Sequence, residues 1–228
     1  PDGTEIPGTN FDYNYLQHRK VDVVSSALDF ILPFEKYKIT AGAKVSFTNT
    51  RNGINYDTSD PTLVQDDYFR YKEQIYALYA DYSREFSERF SMQLGLRMEH
   101  TRTTGISEAK DTEDKHDYTR LFPTVYLLYS PTDGHALNFS FSNRISRPSQ
   151  NMVNPFPFYQ NKYTYACGRE DLKPSYTYNA ELGYTLKNNF NVSAYYSYSD
   201  DVFFQVVDLD AETNVTSFLW ENFMQTHA

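Results

Sequence analysis

A period of two constrains this chain more than any other feature. Ile39, Ala41, Ala43, Val45 and Phe47 alternate with Thr40, Gly42, Lys44 and Ser46. Phe90, Met92, Leu94, Leu96 and Met98 alternate with Ser91, Gln93, Gly95, Arg97 and Glu99. The pattern returns over Leu137–Ser142, Tyr178–Leu186 and Phe190–Ser197. Successive side chains point to opposite faces only in a strand, so each alternation reads as a half-buried antiparallel strand. No segment of similar length keeps a helical period. The pattern predicts nine strands, at 20–32, 38–49, 68–83, 90–104, 118–130, 135–145, 175–186, 190–207 and 215–224.

The connections are of two kinds. Short polar turns are expected at Pro33–Tyr37, Arg84–Arg89, Ser130–Gly134 and Lys187–Asn189. In the third, Pro131 fixes φ and Gly134 accepts a positive φ. Long connections fall between them, at Asn49–Asp66, Thr103–Asp117 and Ser146–Lys173. Alternating short and long connections are the arrangement of an outer-membrane barrel. A soluble sandwich would show the same alternation on its inner face. Three features favour the membrane. The strands are longer than the ~5–6 residues of soluble sheets. The two kinds of connection segregate to opposite ends. Aromatics flank the short turns (Phe34, Tyr37, Phe86, Phe90, Tyr129, Tyr184 and Phe190), where an interfacial girdle would sit. The pleat then turns Lys44, Arg97, Glu99, Arg144 and Glu181 towards the lumen, where a charge stays wet.

Composition agrees. A net charge of -9 argues against a nucleic-acid partner, which requires a basic face. One cysteine, Cys167, excludes an internal disulfide framework. No stretch approaches the ~18 apolar residues of a membrane helix. A mean hydropathy of -0.65 is what strands facing lipid on one side and water on the other give. The opening PDGTEIPGTN has no signal-peptide pattern, and the closing FLWENFMQTHA reads like the inside of an element. These ends suggest an internal piece of a longer barrel.

The longest connection carries recognisable residues. Arg144-Ile145-Ser146-Arg147-Pro148 leads to Asn154-Pro155-Phe156, then Gly168, Asp171-Leu172-Lys173-Pro174 and Glu181-Leu182-Gly183-Tyr184. This order resembles the barrel of TonB-dependent receptors, in their outer-membrane β-barrel subfamily. The match departs at Arg169-Glu170, where that family usually has Asn-Pro. The resemblance implies a 22-stranded barrel around an N-terminal plug, importing a scarce nutrient with energy relayed by TonB. It implies that residues 1–228 form one partial barrel domain without the plug, in the outer membrane of a Gram-negative cell. Its partners would be membrane lipid, the plug and TonB of the complete protein, and a small nutrient such as a siderophore, glycan, peptide or vitamin. Such a piece alone is not expected to transport anything.

The expected ligand surface is that same connection. Phe156, Phe158, Tyr159, Tyr163 and Tyr165, with Arg147, Lys162 and Arg169, could hold a sugar, an iron chelate or a peptide by stacking and charge. The same rings could instead pack the loop over the barrel mouth. Gly168 is expected to serve a turn. The five histidines form no metal-ligand spacing, and the acidic run Glu108–Asp117 lacks the glycine and final glutamate of a calcium loop, so it reads as a mobile solvated loop. No nucleophile elbow, P-loop or dinucleotide fingerprint occurs, so no catalytic residue, metal or cofactor is expected. Two rivals stay open: a smaller outer-membrane barrel with a protease or lipase site at its rim, and a soluble Tyr-rich binding module.

Overall fold

A computed structural model describes residues 13–58, 66–108, 111–187 and 189–227. In chain order these form β1 (Tyr13–Pro33), β2 (Tyr37–Thr58), β3 (Asp67–Ser87), β4 (Phe90–Ser107), β5 (Thr112–Tyr129), β6 (His135–Ser146), α1 (Gln150–Val153), β7 (Phe158–Asn161), β8 (Thr164–Cys167), β9 (Ser175–Leu186), β10 (Phe190–Asp210) and β11 (Val215–His227). All strands join one sheet, in the order β1-β2-β3-β4-β5-β6-β9-β10-β11-β8-β7. The nine expected strands are present as an antiparallel meander. The helical turn and the short β7–β8 hairpin lie within the longest connection. β8 departs from the up-and-down pattern by pairing parallel to β11, from Thr216↔Thr164 to Leu219↔Cys167.

The strands run further than the apolar alternation does. The connection expected at 103–117 is mostly paired strand, with β4 and β5 in register out to Ser107↔Thr112. Threonines and Ile106 favour the pleat there, and cross-strand charge pairs replace apolar contacts. Arg102 Nε donates to Asp117 Oδ2 at 2.8 Å, with His100 3.5 Å from the same carboxylate. The acidic run is therefore largely ordered edge, not mobile loop. β2 likewise continues to Thr58. The opening twelve residues, the centre of the 49–66 connection, Ala109, Lys110, Asn188 and Ala228 lie outside the described residues.

The two faces differ sharply. Leu28, Phe30, Leu78, Leu96, Leu121, Leu182 and Val192 are exposed, and they share one face by register. On β4 this apolar band runs from Phe90 to Met98, about 27 Å along the strand and roughly 20 Å in height once the strand is tilted. Aromatics close it at both edges. Near the short turns, Phe34 stacks on Tyr37 at 4.4 Å and Phe86 meets Phe90 at 5.4 Å. At the other edge Phe47 meets Tyr76 at 5.8 Å, and Tyr178 meets Tyr198 at 5.9 Å. Beyond that edge the same face turns polar and charged. The opposite face is largely polar within the band, Ile31 and Leu128 being exceptions by register, and there Tyr79 covers Gly42 and donates to Asp29. Gly134 takes φ 78 in its tight turn, as that turn requires.

β5 and β6 pair only from Thr124↔Ser142 to Tyr129↔Leu137. Above that they part, and Asn143 Nδ2 donates 3.3 Å to the Leu121 carbonyl across the gap. The parting gives the chain after β6 room to turn inward.

Candidate functional site

The segment 147–174 folds against the polar face at the outer end of the sheet. Pro148, Pro155 and Pro157 each lack an N–H, which keeps this stretch from continuing the ladder. Instead Val153, Phe156 and Leu172 pack on Ile54 and Phe69, flanked by Tyr56, Tyr71, Met152, Phe203 and Trp220. This is the principal buried apolar cluster among the described residues, and it ties β2 and β3 to β10 and β11 through the segment. Tyr56 Oη donates 2.9 Å to the Pro157 carbonyl, and Lys173 N donates 2.9 Å to Asn222 Oδ1. Gly168 N donates to the Asn154 carbonyl at 2.8 Å, and a Cβ at Gly168 would lie 2.4 Å from the Met152 and Asn154 carbonyl oxygens. The glycine serves close backbone approach here rather than the turn conformation expected of it; Gly134 is the positive-φ glycine among the described residues.

One ion network anchors the segment. Arg147 Nη2 donates to Glu99 Oε2 at 2.6 Å and to Thr101 Oγ1 at 3.1 Å, and its Nε lies 3.7 Å from Glu73. Arg97 Nε donates to the other Glu99 oxygen at 2.5 Å, and the Arg97 guanidinium lies 5.5 Å from the Tyr79 ring centre. Burial opposes the charge on Arg147, but the Glu99 hydrogen bond and the surrounding negative groups outweigh it and hold its pKa above the ordinary value. A buried guanidinium so paired is costly to leave alone, which makes the pair a positioning device.

Beside this anchor lies a cavity of about 350 Å³. Tyr71, Tyr118, Tyr176, Arg120 and Lys173 line it, and Arg147 closes one wall. The Arg120 guanidinium sits 4.9 Å over the Tyr176 ring, which in turn stacks on Phe122 at 6.5 Å. Phenol hydroxyls, aromatic faces and cations converge there with the carboxylates of Glu73, Asp117 and Asp201, an arrangement suited to a planar polar ligand.

The eight ligand-contact candidates do not converge. Arg147 is in the ion network, and Phe156 is buried in the apolar cluster. Phe158 meets Tyr15 edge-on at 5.4 Å, and Tyr159 meets Tyr165 at 5.5 Å. Lys162 and Tyr163 stand exposed at the β7–β8 turn. Arg169 grips Asp171 with two bonds of 2.8 and 2.9 Å and reaches Glu221 at 3.1 Å. That grip lowers the Asp171 pKa, the hydrogen bond from Arg169 being the main cause. Among the lumen-facing candidates, Arg97 and Glu99 join the anchor, whereas Lys44 and Arg144 are exposed and Glu181 half-buried. The cavity residues Tyr71, Glu73, Tyr118, Arg120 and Tyr176 were not singled out by sequence. The parity of β3 and β5 could have placed four of them on one face, but not against 147–174. Among the described residues no cluster of His, Cys, Asp and Glu could hold a metal ion.

Solved structures of the same architecture place this sheet in context. The copper transporter OprC matches with a TM-score of 0.68 at 12% identity, over 91% of this chain and 34% of its own. The ferric enterobactin receptor PfeA of Pseudomonas aeruginosa, a mutant in complex with enterobactin, matches with 0.58 at 13% identity, over 92% and 32%. The ferric yersiniabactin uptake receptor FyuA of Yersinia pestis matches with 0.53 at 16% identity, over 90% and 31%. The chain thus spans about a third of each of these structures. No curated protein sequence matches it. One family does match, over residues 2–228: the outer membrane protein beta-barrel family. Its membrane is the outer membrane of a Gram-negative cell, and an apolar band closed by two aromatic edges is the surface such a membrane demands. The chain belongs to that outer membrane β-barrel family.

Proposed function

We propose that this chain is the part of a TonB-dependent receptor barrel that forms one wall of the nutrient entry route. The carrying observation is the inward-folded segment 147–174, anchored by Arg147 on Glu99, which walls a tyrosine- and cation-lined cavity at the outer end. A solvent-filled pore has no use for a packed lid core, whereas a receptor gains a shaped, pre-organised chamber from it. The nutrient is a small polar molecule held by stacking on the tyrosines and by charge, Arg120 and Lys173 facing Glu73, Asp117 and Asp201 across the cavity. Energy coupling would come through a plug and TonB in the complete protein. The matched structures are a copper transporter and receptors for ferric enterobactin and ferric yersiniabactin, which supports a small cargo of this kind.

The experiment is uptake by cells carrying the complete protein, with and without TonB. The panel would be ferric catecholates, ferric citrate, haem, copper, oligosaccharides and short peptides. The reading predicts saturable uptake of one class, lost without TonB and reduced by Arg120→Gln. Hydrolytic activity towards a lipid or peptide, with no TonB-dependent uptake, would replace it with a barrel enzyme. The residues of this chain expressed alone should give no energy-coupled uptake in liposomes.

A further inference from the structure

Just above the outer aromatic edge, the lipid-side face carries an unusual row. Lys20 on β1 lies opposite Arg51 on β2, and Arg51 lies opposite Arg70 on β3. One row closer to the membrane, Lys72 on β3 stands opposite Asn49 on the same face. Like charges directly opposite one another destabilise a sheet. Here a single carboxylate, Asp22, serves the group, at 3.9 Å from Lys20 and 3.7 Å from Arg51. Arg51 Nε is buried without a hydrogen-bond partner, while the end of its guanidinium reaches the surface. Arg70 lies 5.9 Å over the Tyr68 ring, and neither it nor Lys72 forms an ion pair among the described residues. Neighbouring cations differ: Arg102 has Asp117 and Lys115 has Glu113. Four cations with one carboxylate between them, Arg70 and Lys72 having none among the described residues, point to an anion from outside the chain.

The height selects the anion. Phe47 and Tyr76 mark the outer aromatic edge. Asn49 and Lys72 sit two residues beyond Phe47 along β2, and Arg51 and Arg70 four, roughly 5–10 Å outward on tilted strands. That is the depth of the headgroup layer, which adds ~5–8 Å to each side of the hydrocarbon. The side chains project from the face that is apolar lower down, so they point at lipid and not into the lumen.

We propose that Lys20, Arg51, Arg70 and Lys72 form a seat for the phosphate groups of an outer-leaflet lipid headgroup. Arg51 and Arg70 supply paired N–H donors, Lys20 and Lys72 supply point charge, and the acyl chains lie down the apolar face beneath. Asp22 orients Lys20 and Arg51 without neutralising the site. This rests on the placement in the outer membrane, not on the nutrient reading.

The test is native mass spectrometry of the complete purified protein in mixed micelles. Bisphosphorylated lipid A would be compared with its fully dephosphorylated form. The expected result is selective retention of the phosphorylated lipid. Retention should fall roughly a hundredfold in the triple variant Arg51→Gln, Arg70→Gln, Lys72→Gln, three charges near an anionic surface being removed. Arg144→Gln, on the lumen side, should retain lipid like the parent. Should the triple variant fail to fold, Lys72→Gln alone, at an exposed unpaired position, should lower retention several-fold. Equal retention of both lipid forms, or full retention by a folded variant, overturns the seat. Displacement of the lipid by equimolar inorganic phosphate also overturns it, since the row would then be a free-phosphate site.

Discussion

The membrane half and the outer half of this sheet solve opposite solvent problems with one set of strands. In the membrane half, Leu96 and Leu121 are half exposed on the lipid side, and Tyr79 bonds Asp29 on the inner face. In the outer half, Phe69 is wholly buried and charged groups line the outside. The lower half has no apolar core because lipid serves as one. The upper half stands in water on both sides, so it must bury apolar surface against something, and the segment 147–174 is what it buries. The inward loop is therefore as much a stability requirement as a functional part.

Substitutions can break or sharpen that contrast. The largest effect is expected at the anchor. Glu99→Gln leaves Arg147 half-buried beside Glu73 alone and should cost roughly 3–5 kcal/mol of segment docking. Limited proteolysis within 147–174 would read it as faster cleavage, with the strands below unaffected. Phe69→Ala in the core should cost a similar ~3–5 kcal/mol, read as a lower unfolding midpoint of the outer half. Next comes a pair that separates the two faces of one strand. Leu94→Arg, at the centre of the lipid band, should cost ~2–4 kcal/mol in lipid vesicles, while Gln93→Arg on the lumen side should cost close to nothing. Equal costs would mean that the band does not face lipid.

The smallest effect is a pH dependence of the Arg169–Asp171 grip. Its folded pKa is depressed by the Arg169 hydrogen bond, so its stabilisation is present above the ordinary carboxylate value of ~3.9 and fades as pH falls through the lower folded value. Amide exchange at 168–172, taken relative to its intrinsic rate at each pH, should be flat from neutral down to about pH 4 and rise below it. Asp171→Asn should remove that rise. A rise near neutral pH instead would assign the titration to another group.

The strands were legible because lipid and lumen impose opposite demands on successive residues, and a period of two records both. Boundaries were less so: beyond His100 and Arg102 neither face is apolar, and pairing there rests on threonines and cross-strand charges that a hydropathy pattern does not register. The segment 147–174 was legible as a special loop, through its prolines, Gly168 and aromatics, but not as an inward-folded one. Phe156 looked like a ligand contact because an aromatic in a loop gives no sign of whether it packs on Phe69. Arg147 and Glu99 were both singled out, in different roles. Nothing local joins residues so far apart in sequence; the register of β3, β4 and β5 does.

Cysteine scanning of positions 91–98, in the complete protein with Cys167→Ala, tests the central claim most directly. Each variant in lipid vesicles would meet a water-soluble thiol reagent and a lipid-soluble quencher of an attached fluorophore. A barrel wall predicts strict alternation: positions 92, 94, 96 and 98 quenched from lipid, and positions 91, 93, 95 and 97 labelled from water. Uniform labelling from water at all eight positions would contradict a membrane-spanning strand here, and with it the reading of the whole sheet.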